Sequence, residues 1–309
     1  MAACQTVTDD CHKKPVSMEI TDMPQEERPI GIFDSGVGGL SVVRALHLLV
    51  PREDIIYLGD TARLPYGTKS PKTVVRFSCE DAEFLLRHRV KALIAACGTV
   101  SAWALEALQN RFEVPVIGVI EPGVQAALKT TRNHRFGVMA TNATVRSMAY
   151  PRAIHRACEA AKVFTCACPL LIPLVEAGWT NHRVTRMVLR EYLAPLRRQR
   201  IDTLILACTH FPLLTAAIHE VVNHRVALVD CAEACARYSS EYLGKWQLLC
   251  RKRRRPGMIQ AFVTDESDRF NELAAQFLGK SIAPAMQVDL PASPGRRGLK
   301  LPAWVSGPR

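Results

Sequence analysis

The sequence predicts an α/β protein: two similar parallel-sheet domains related by a pseudo-two-fold, with the active site in the cleft between them. Three observations carry this. Short runs that are apolar throughout, such as "DIIYLGD", "VKALIAAC" and "IDTLILAC", alternate with helical segments such as "VRFSCEDAEFLLRHR" and "TRMVLREYLAPLRRQ". Continuously apolar strands separated by helices belong to parallel sheets covered on both faces. The chain also repeats itself. "KALIAACGT" from Lys91 aligns with "DTLILACTH" from Asp202 and sets Cys97 on Cys208; "GIFDS" from Gly31 aligns with "GVMAT" from Gly137 at nearly the same separation, and "VIGVIEP" and "LVDCAEA" follow. A long offset held by three pairs points to two homologous halves. Finally, 309 residues suffice for two domains with real cores.

In chain order, residues 1–27 are polar and read as a flexible extension. The globular part opens at "PIGIFDSGVGGLSVVRAL", a strand ending at Asp34, a glycine-rich turn and a helix from near Leu40. "DIIYLGD", "VKALIAAC", "VPVIGVI", "FGVMAT", "IDTLILAC" and "VALVD" read as the further strands. Residues 281–309 are basic and read as a disordered tail.

Composition narrows the function classes. Hydrophobic residues make up 48% of the chain, as in a globular protein. No apolar run approaches the roughly 20 residues of a membrane helix, and "MAACQTVTDDCHKK" lacks a secretory pattern. Eleven cysteines without a scaffold spacing read as reduced thiols in a cytoplasmic protein. "CAC" at 166–168 and "CAEAC" at 231–235 are not paired zinc ligands and read as packing; Cys11 and His12 fall in the polar leader. The net charge of +11 is partly local to Arg251, Lys252, Arg253, Arg254 and Arg255. That run reads as a solvated loop. Weak nucleic-acid contact through it is compatible with the charge but not favoured, because no zinc-finger or aromatic pattern accompanies it.

The chemistry resides in the two cysteines. Each ends an apolar strand and precedes hydroxyl residues, as "CGT" and "CTH". Ligands of open α/β sheets collect beyond the carboxyl ends of the strands. A thiol, with a reference pKa near ~8.5, gives or takes a proton when its surroundings allow. One thiol above a carbon and one below can invert a stereocentre, since one removes a proton while the other delivers one. This needs neither metal nor organic cofactor, and none is expected. "DSGVGGLS" departs from the dinucleotide fingerprint at Ser41, and no phosphate-loop pattern occurs.

These motifs resemble the cofactor-independent glutamate racemases of the aspartate/glutamate racemase family. The likeness spans roughly residues 28–280 through "GIFDSGVGGLSV", "YLGDTARLPYGTKSP", "AACGTVSA", "VIGVIEPG", "VMATNATVRSMAY", "LVEAGW", "ACTHFPLL" and "VTDESDRFNELAAQFLG". It implies one α/β domain from residues 28–122 and 232–280 and a second from 123–231. It implies that Cys97 deprotonates D-glutamate and Cys208 L-glutamate. Asp34 and Ser35 fall on a substrate-binding pair with Asp34 near the first thiol, and Tyr66 and Gly67 on the pair receiving the side-chain end of glutamate. Thr99, Thr209 and His210 fall on substrate-binding or thiol-assisting positions, Glu176 on an acid near the second thiol, and Thr141 on a substrate-facing threonine. The family pattern after the first thiol is Cys-Asn-Thr, whereas this chain has Cys97, Gly98 and Thr99. The missing amide predicts a slow or weakly binding racemase, improved by Gly98→Asn if Val100 does not crowd the added side chain. The implied activity is interconversion of L- and D-glutamate, supplying D-glutamate for peptidoglycan. An aspartate racemase and a weakly active family member acting as a binding protein stay open as alternatives. Expected partners are the substrate glutamate and, as a candidate homodimer, a second copy of the chain, with no membrane.

Overall fold

The computed structural model of the protein describes residues 23–222, 224–251 and 254–290. The leader with Cys11 and His12, the pair Lys252 and Arg253, and residues 291–309 lie outside the described residues. The strands are β1 (Ile30–Asp34), β2 (Ile55–Gly59), β3 (Ala92–Ala95), β4 (Val116–Gly118), β5 (Arg135–Ala140), β6 (Lys162–Ala167), β7 (Thr203–Leu206), β8 (Ala227–Asp230), β9 (Ile259–Val263) and β10 (Met286–Gln287). The helices are α1 (Leu40–Leu49), α2 (Pro71–Arg87), α3 (Gly98–Trp103), α4 (Leu105–Arg111), α5 (Ile120–Thr130), α6 (Asn142–Ser147), α7 (Ala149–Ala157), α8 (Leu171–Glu176), α9 (Arg183–Arg198), α10 (Thr215–Val222), α11 (Cys231–Lys245) and α12 (Ser267–Leu278).

Two sheets form, with strand orders β10-β9-β2-β1-β3-β4 and β6-β5-β7-β8. Every pairing is parallel. The run β2-β1-β3-β4 and the whole second sheet share one order, so the repeat in the sequence is a repeat of topology. In each half the order reverses between the first and third strands, β1/β3 and β5/β7, which is where α/β folds open a crevice for ligands. Local chemistry marks the helix ends. Ser70 caps α2 by accepting from the Thr73 amide with Pro71 in the first turn, and Asp230 caps α11 through the amides of Ala232 and Glu233. Gly279 closes α12 at φ 70°, a backbone that favours glycine.

One continuous apolar core runs through both halves, from Ile32 and Leu40 in the first to Phe136, Leu204 and Phe211 in the second. Helix α1 packs on α11, and α11 on α5, so the chain segments that cross between the sheets also glue them.

Three strands escaped the sequence reading. β6 ("KVFTCA") is a half-exposed edge strand without a continuous apolar run. β9 ("IQAFV") carries an exposed glutamine, and its neighbour β2 lies far away in sequence. β10 falls inside the segment read as tail: Met286 and Gln287 pair with Phe262 and Val263. At the other end Gln25–Glu27 form a 3-10 turn, pinned by the Lys91 ammonium donating to the Glu26 carbonyl at 2.7 Å. The last residues of the polar extension are therefore part of the fold. Among the described residues no helix is long and apolar enough to cross a membrane.

Candidate functional site

A cavity of about 320 Å³ opens between the two sheets at the carboxyl ends of β1, β3, β5 and β7. Every residue singled out from the sequence lines it: Asp34, Ser35, Tyr66, Gly67, Cys97, Gly98 and Thr99 from the first half, and Thr141, Glu176, Cys208, Thr209 and His210 from the second. Cys97 follows β3 and Cys208 follows β7, so the duplicated topology delivers one thiol from each side.

The thiols have different company. Cys97 stands at the N-cap of α3, close to the amides of Thr99 and Val100, with the Ser35 hydroxyl 3.7 Å from its sulfur. Asp34 is buried beside it; one carboxylate oxygen accepts from the Gly39 amide at 2.9 Å, and Oδ1 has no full hydrogen bond. Burial pushes the Asp34 carboxyl up, while the nearby His210 pulls it back. Burial, helped by the Asp34 charge, pushes the Cys97 thiol up to about 12. Cys208 is likewise raised by burial, opposed by the His210 amide. Its sulfur lies 4.0 Å from His210 Nδ1, and His210 Nε2 lies 2.9 Å from Glu176 Oε1. With Nε2–H donating to Glu176, Nδ1 presents a lone pair to the thiol; once protonated, it presents a donor to the thiolate. Low dielectric and like charge thus favour the protonated form of both thiols, and a cation beside them would favour the thiolates.

The rim is built to be stiff. The Tyr66 hydroxyl contacts carboxylate oxygens of Asp60 and, at 3.0 Å, Asp81, and Arg63 bridges Asp60, Glu80 and Asp81. The phenol is therefore engaged by these buried carboxylates, while Tyr66 and Gly67 both line the cavity. Across the cleft the Thr99 hydroxyl bonds that of Thr141 at 2.9 Å, and Thr141 caps α6 by accepting from the Thr144 amide.

Two glycines let the halves close. A Cβ on Gly98 would stand 2.6 Å from the Ala207 carbonyl oxygen of the opposite half, and one on Gly38 would collide with Thr209 and the His210 ring. The sequence reading makes the fit of an asparagine at 98 depend on Val100; the nearest obstacle to a Cβ there is instead the Ala207 backbone, and Val100 is buried in the first half's core. Sequence reading also missed contributors. Asn142, Pro169, Ile172 and Pro173 line the cavity, and Arg269 of α12 donates to the Glu176 carbonyl at 2.6 Å, tying the returning chain to the second half. The repeat alignment held a signal for Asn142, since it follows Thr141 as Gly36 follows Ser35; Arg269 left none. Outside the cavity, Arg255 pairs with Asp54 at 3.1 Å, so the described part of the basic run is anchored to the fold.

A family model described as Asp/Glu/Hydantoin racemase matches residues 30–238. A glutamate racemase of Geobacter metallireducens is 48% identical over 265 residues, covering 86% of this chain and 98% of the relative. Among solved structures, a glutamate racemase isoform from Bacillus anthracis superposes with a TM-score of 0.83 at 37% identity, over 87% of this chain and 100% of that one. One from Francisella tularensis in complex with D-glutamate gives a TM-score of 0.80 at 36% identity, over 86% and 98%.

Proposed function

The chain belongs to the Asp/Glu/hydantoin racemase family, and from that premise we propose that this amino-acid racemase interconverts L- and D-glutamate with two thiols as its acid and base. The observation that carries the reading is the pairing of Cys97 and Cys208 across one cavity, each after the third strand of its half. In the proposed cycle the Cys97 thiolate removes the α-proton of D-glutamate while the Cys208 thiol protonates the opposite face; the reverse direction exchanges the roles. The α-ammonium supplies the positive charge that the buried thiols need. Asp34 steadies that ammonium beside Cys97, and His210, oriented by Glu176, manages the Cys208 proton. Ser35, Thr99, Thr141 and Thr209 hold the α-carboxylate and ammonium, and the backbone of Tyr66 and Gly67 receives the side-chain carboxylate. The proton chemistry is complete without a cofactor. We assign the D-glutamate formed to peptidoglycan synthesis, a role supported by the family likeness and tested by rescue of a D-glutamate-requiring bacterium.

The decisive experiment is racemisation in deuterated water over a panel of amino acids. Glutamate is expected to be the fast substrate, with deuterium at Cα of the early product and little in the remaining substrate. Faster turnover of aspartate would move the activity to that amino acid. Product that keeps its own proton would replace two bases with one.

A further inference from the structure

The second sheet carries a thiol pair that this chemistry does not use. Cys166 and Cys168 are two apart at the end of the edge strand β6, so they fall on the same face. Both are free, with sulfurs 3.8 Å apart. Cys166 is half-buried and donates to the Tyr192 carbonyl of α9 at 3.1 Å, while Cys168 is fully buried. Residues two apart in a strand have Cα atoms roughly 6.6 Å apart, inside the upper end of the range a disulfide spans. Closing the bond needs a local tightening, not a rearrangement, and its strain would leave it readily reduced. The chain after Cys168 turns directly into the cavity wall: Pro169, Ile172, Pro173 and Glu176 all line it, and Glu176 holds His210.

We propose that Cys166 and Cys168 form a reversible redox site, oxidised by hydrogen peroxide, whose disulfide draws on the root of α8 and slows the reaction by displacing Glu176. Cys166 sulfur attacks one peroxide oxygen; the O–O bond breaks, giving Cys166 sulfenic acid and one water. Cys168 sulfur then attacks that sulfur, and the sulfenic oxygen leaves as a second water. Two thiols are oxidised by two electrons and one peroxide is reduced. The order follows the surroundings. Cys166 is the accessible member, and the Cys168 thiol donating to it lowers its pKa; the Cys166 sulfur and burial raise Cys168. An accessible, more acidic thiol next to a resolving one is the arrangement of redox-sensing pairs.

The effect on turnover rests on the proposed function; formation of the bond does not. Trypsin cleavage after Lys162 and Arg183 yields one peptide, residues 163–183, that holds these two cysteines and no other. The purified protein is titrated with hydrogen peroxide, alkylated, digested and weighed. Residues 169–179 are followed by hydrogen exchange and glutamate racemisation is assayed in parallel. The expected result is a peptide lighter by two hydrogens and closed to alkylation, faster exchange in 169–179, and activity lower by roughly tenfold or more, as misplacement of a catalytic group causes. Dithiothreitol should restore all three. Cys166→Ser and Cys166→Ala should keep the untreated activity and lose the reversible inhibition. If the peptide stays open to alkylation while activity falls, the oxidation responsible lies elsewhere in the chain and the site is refuted. A disulfide that leaves exchange and activity unchanged refutes the switch. A protein that forms the bond and shows the exchange change but racemises no glutamate overturns the proposed function instead.

Discussion

The two halves share strand order and the placement of a thiol, but not the group beside that thiol. In the first half β1 ends in Asp34, buried against Cys97. The aligned residue ending β5 is Ala140, and the second half supplies His210 and Glu176 from elsewhere. Thr99 stands where His210 stands in the other half, and Gly98 where Thr209 stands. Duplication fixes the backbone frame that aims two sulfurs at one cavity, whereas the acid–base partners vary within it. The charge of a carboxylate opposes the ionisation of a neighbouring thiol, but an imidazole can accept its proton or stabilise its anion. The two thiols therefore sit in different electrostatic surroundings.

The hardest test of this contrast removes each thiol. Cys97→Ala and Cys208→Ala should each lower kcat/KM by at least ~10²–10⁴-fold, the usual contribution of a general acid or base. Enantiomers have equal free energy, so the fall must be the same in both directions. The halves separate only in proton exchange without inversion. Cys208→Ala should still exchange the α-proton of D-glutamate with solvent, and Cys97→Ala that of L-glutamate. The opposite pattern would swap the assignment of faces, and near-normal racemisation by either variant would end the two-thiol scheme.

The partners come next. Asp34→Asn should cost about a hundredfold in kcat/KM and Glu176→Gln about tenfold, both within the ~1.5–3 kcal/mol of a hydrogen bond to a charged group. Asp34 is 1% exposed, while the Glu176 side chain is 29% exposed and better screened. Equal losses would show that burial does not set the difference. Gly98→Ala should lower kcat/KM by roughly tenfold, because its Cβ meets the Ala207 carbonyl and overpacking costs ~1–3 kcal/mol. Gly98→Asn should be no better than the parent. A faster Gly98→Asn enzyme would mean that the halves part without loss and that the absent amide was the limiting feature.

The thiols predict the sign of the pH dependence. Both pKa values are raised by burial, so the free enzyme carries little thiolate near neutrality. kcat/KM should rise as pH climbs from about 7 to about 8.5, because that plot reports the free enzyme's base. A falling limb over that interval would show that a group other than these thiols sets the profile. The smallest effect is expected outside the cavity. Neutralising Arg254 and Arg255 should leave racemase kinetics nearly unchanged and cost ~0–1 kcal/mol of stability through the Arg255–Asp54 pair. Salt-resistant, sequence-selective nucleic-acid binding by the parent would reopen the binding-protein alternative, since a purely electrostatic contact weakens steeply with salt.

What could be read from the sequence followed from how local each signal is. The interior strands β1, β3, β5 and β7 show as apolar runs, and Cys97 and Cys208 follow two of them, so one pattern located both thiols, while residues such as Tyr66, Gly67 and Glu176 came only from the family resemblance. The edge strand β6 was missed because solvent on one side removes the apolar run. The Tyr66–Asp60–Asp81–Arg63 network joins residues of a loop and α2, and no spacing rule announces a hydroxyl engaged by buried carboxylates. The contact at Gly98 stayed hidden for a related reason. Its lack of a side chain is a local fact, but the Ala207 carbonyl that requires it arrives from the other half.

The first sheet also has a history in time. Ile55 of β2 waits for Ile259 of β9, which is made only after the entire second sheet. At about 5–20 residues per second during synthesis, the open side of β2 goes without its neighbour for about 10–40 s. An unpaired apolar edge is a template for pairing with another chain, so the growing protein passes through a window of vulnerability that the finished one no longer shows. Chains stopped before β9 should accordingly aggregate with β2 at the contact, even though both thiols and the second sheet are already in place.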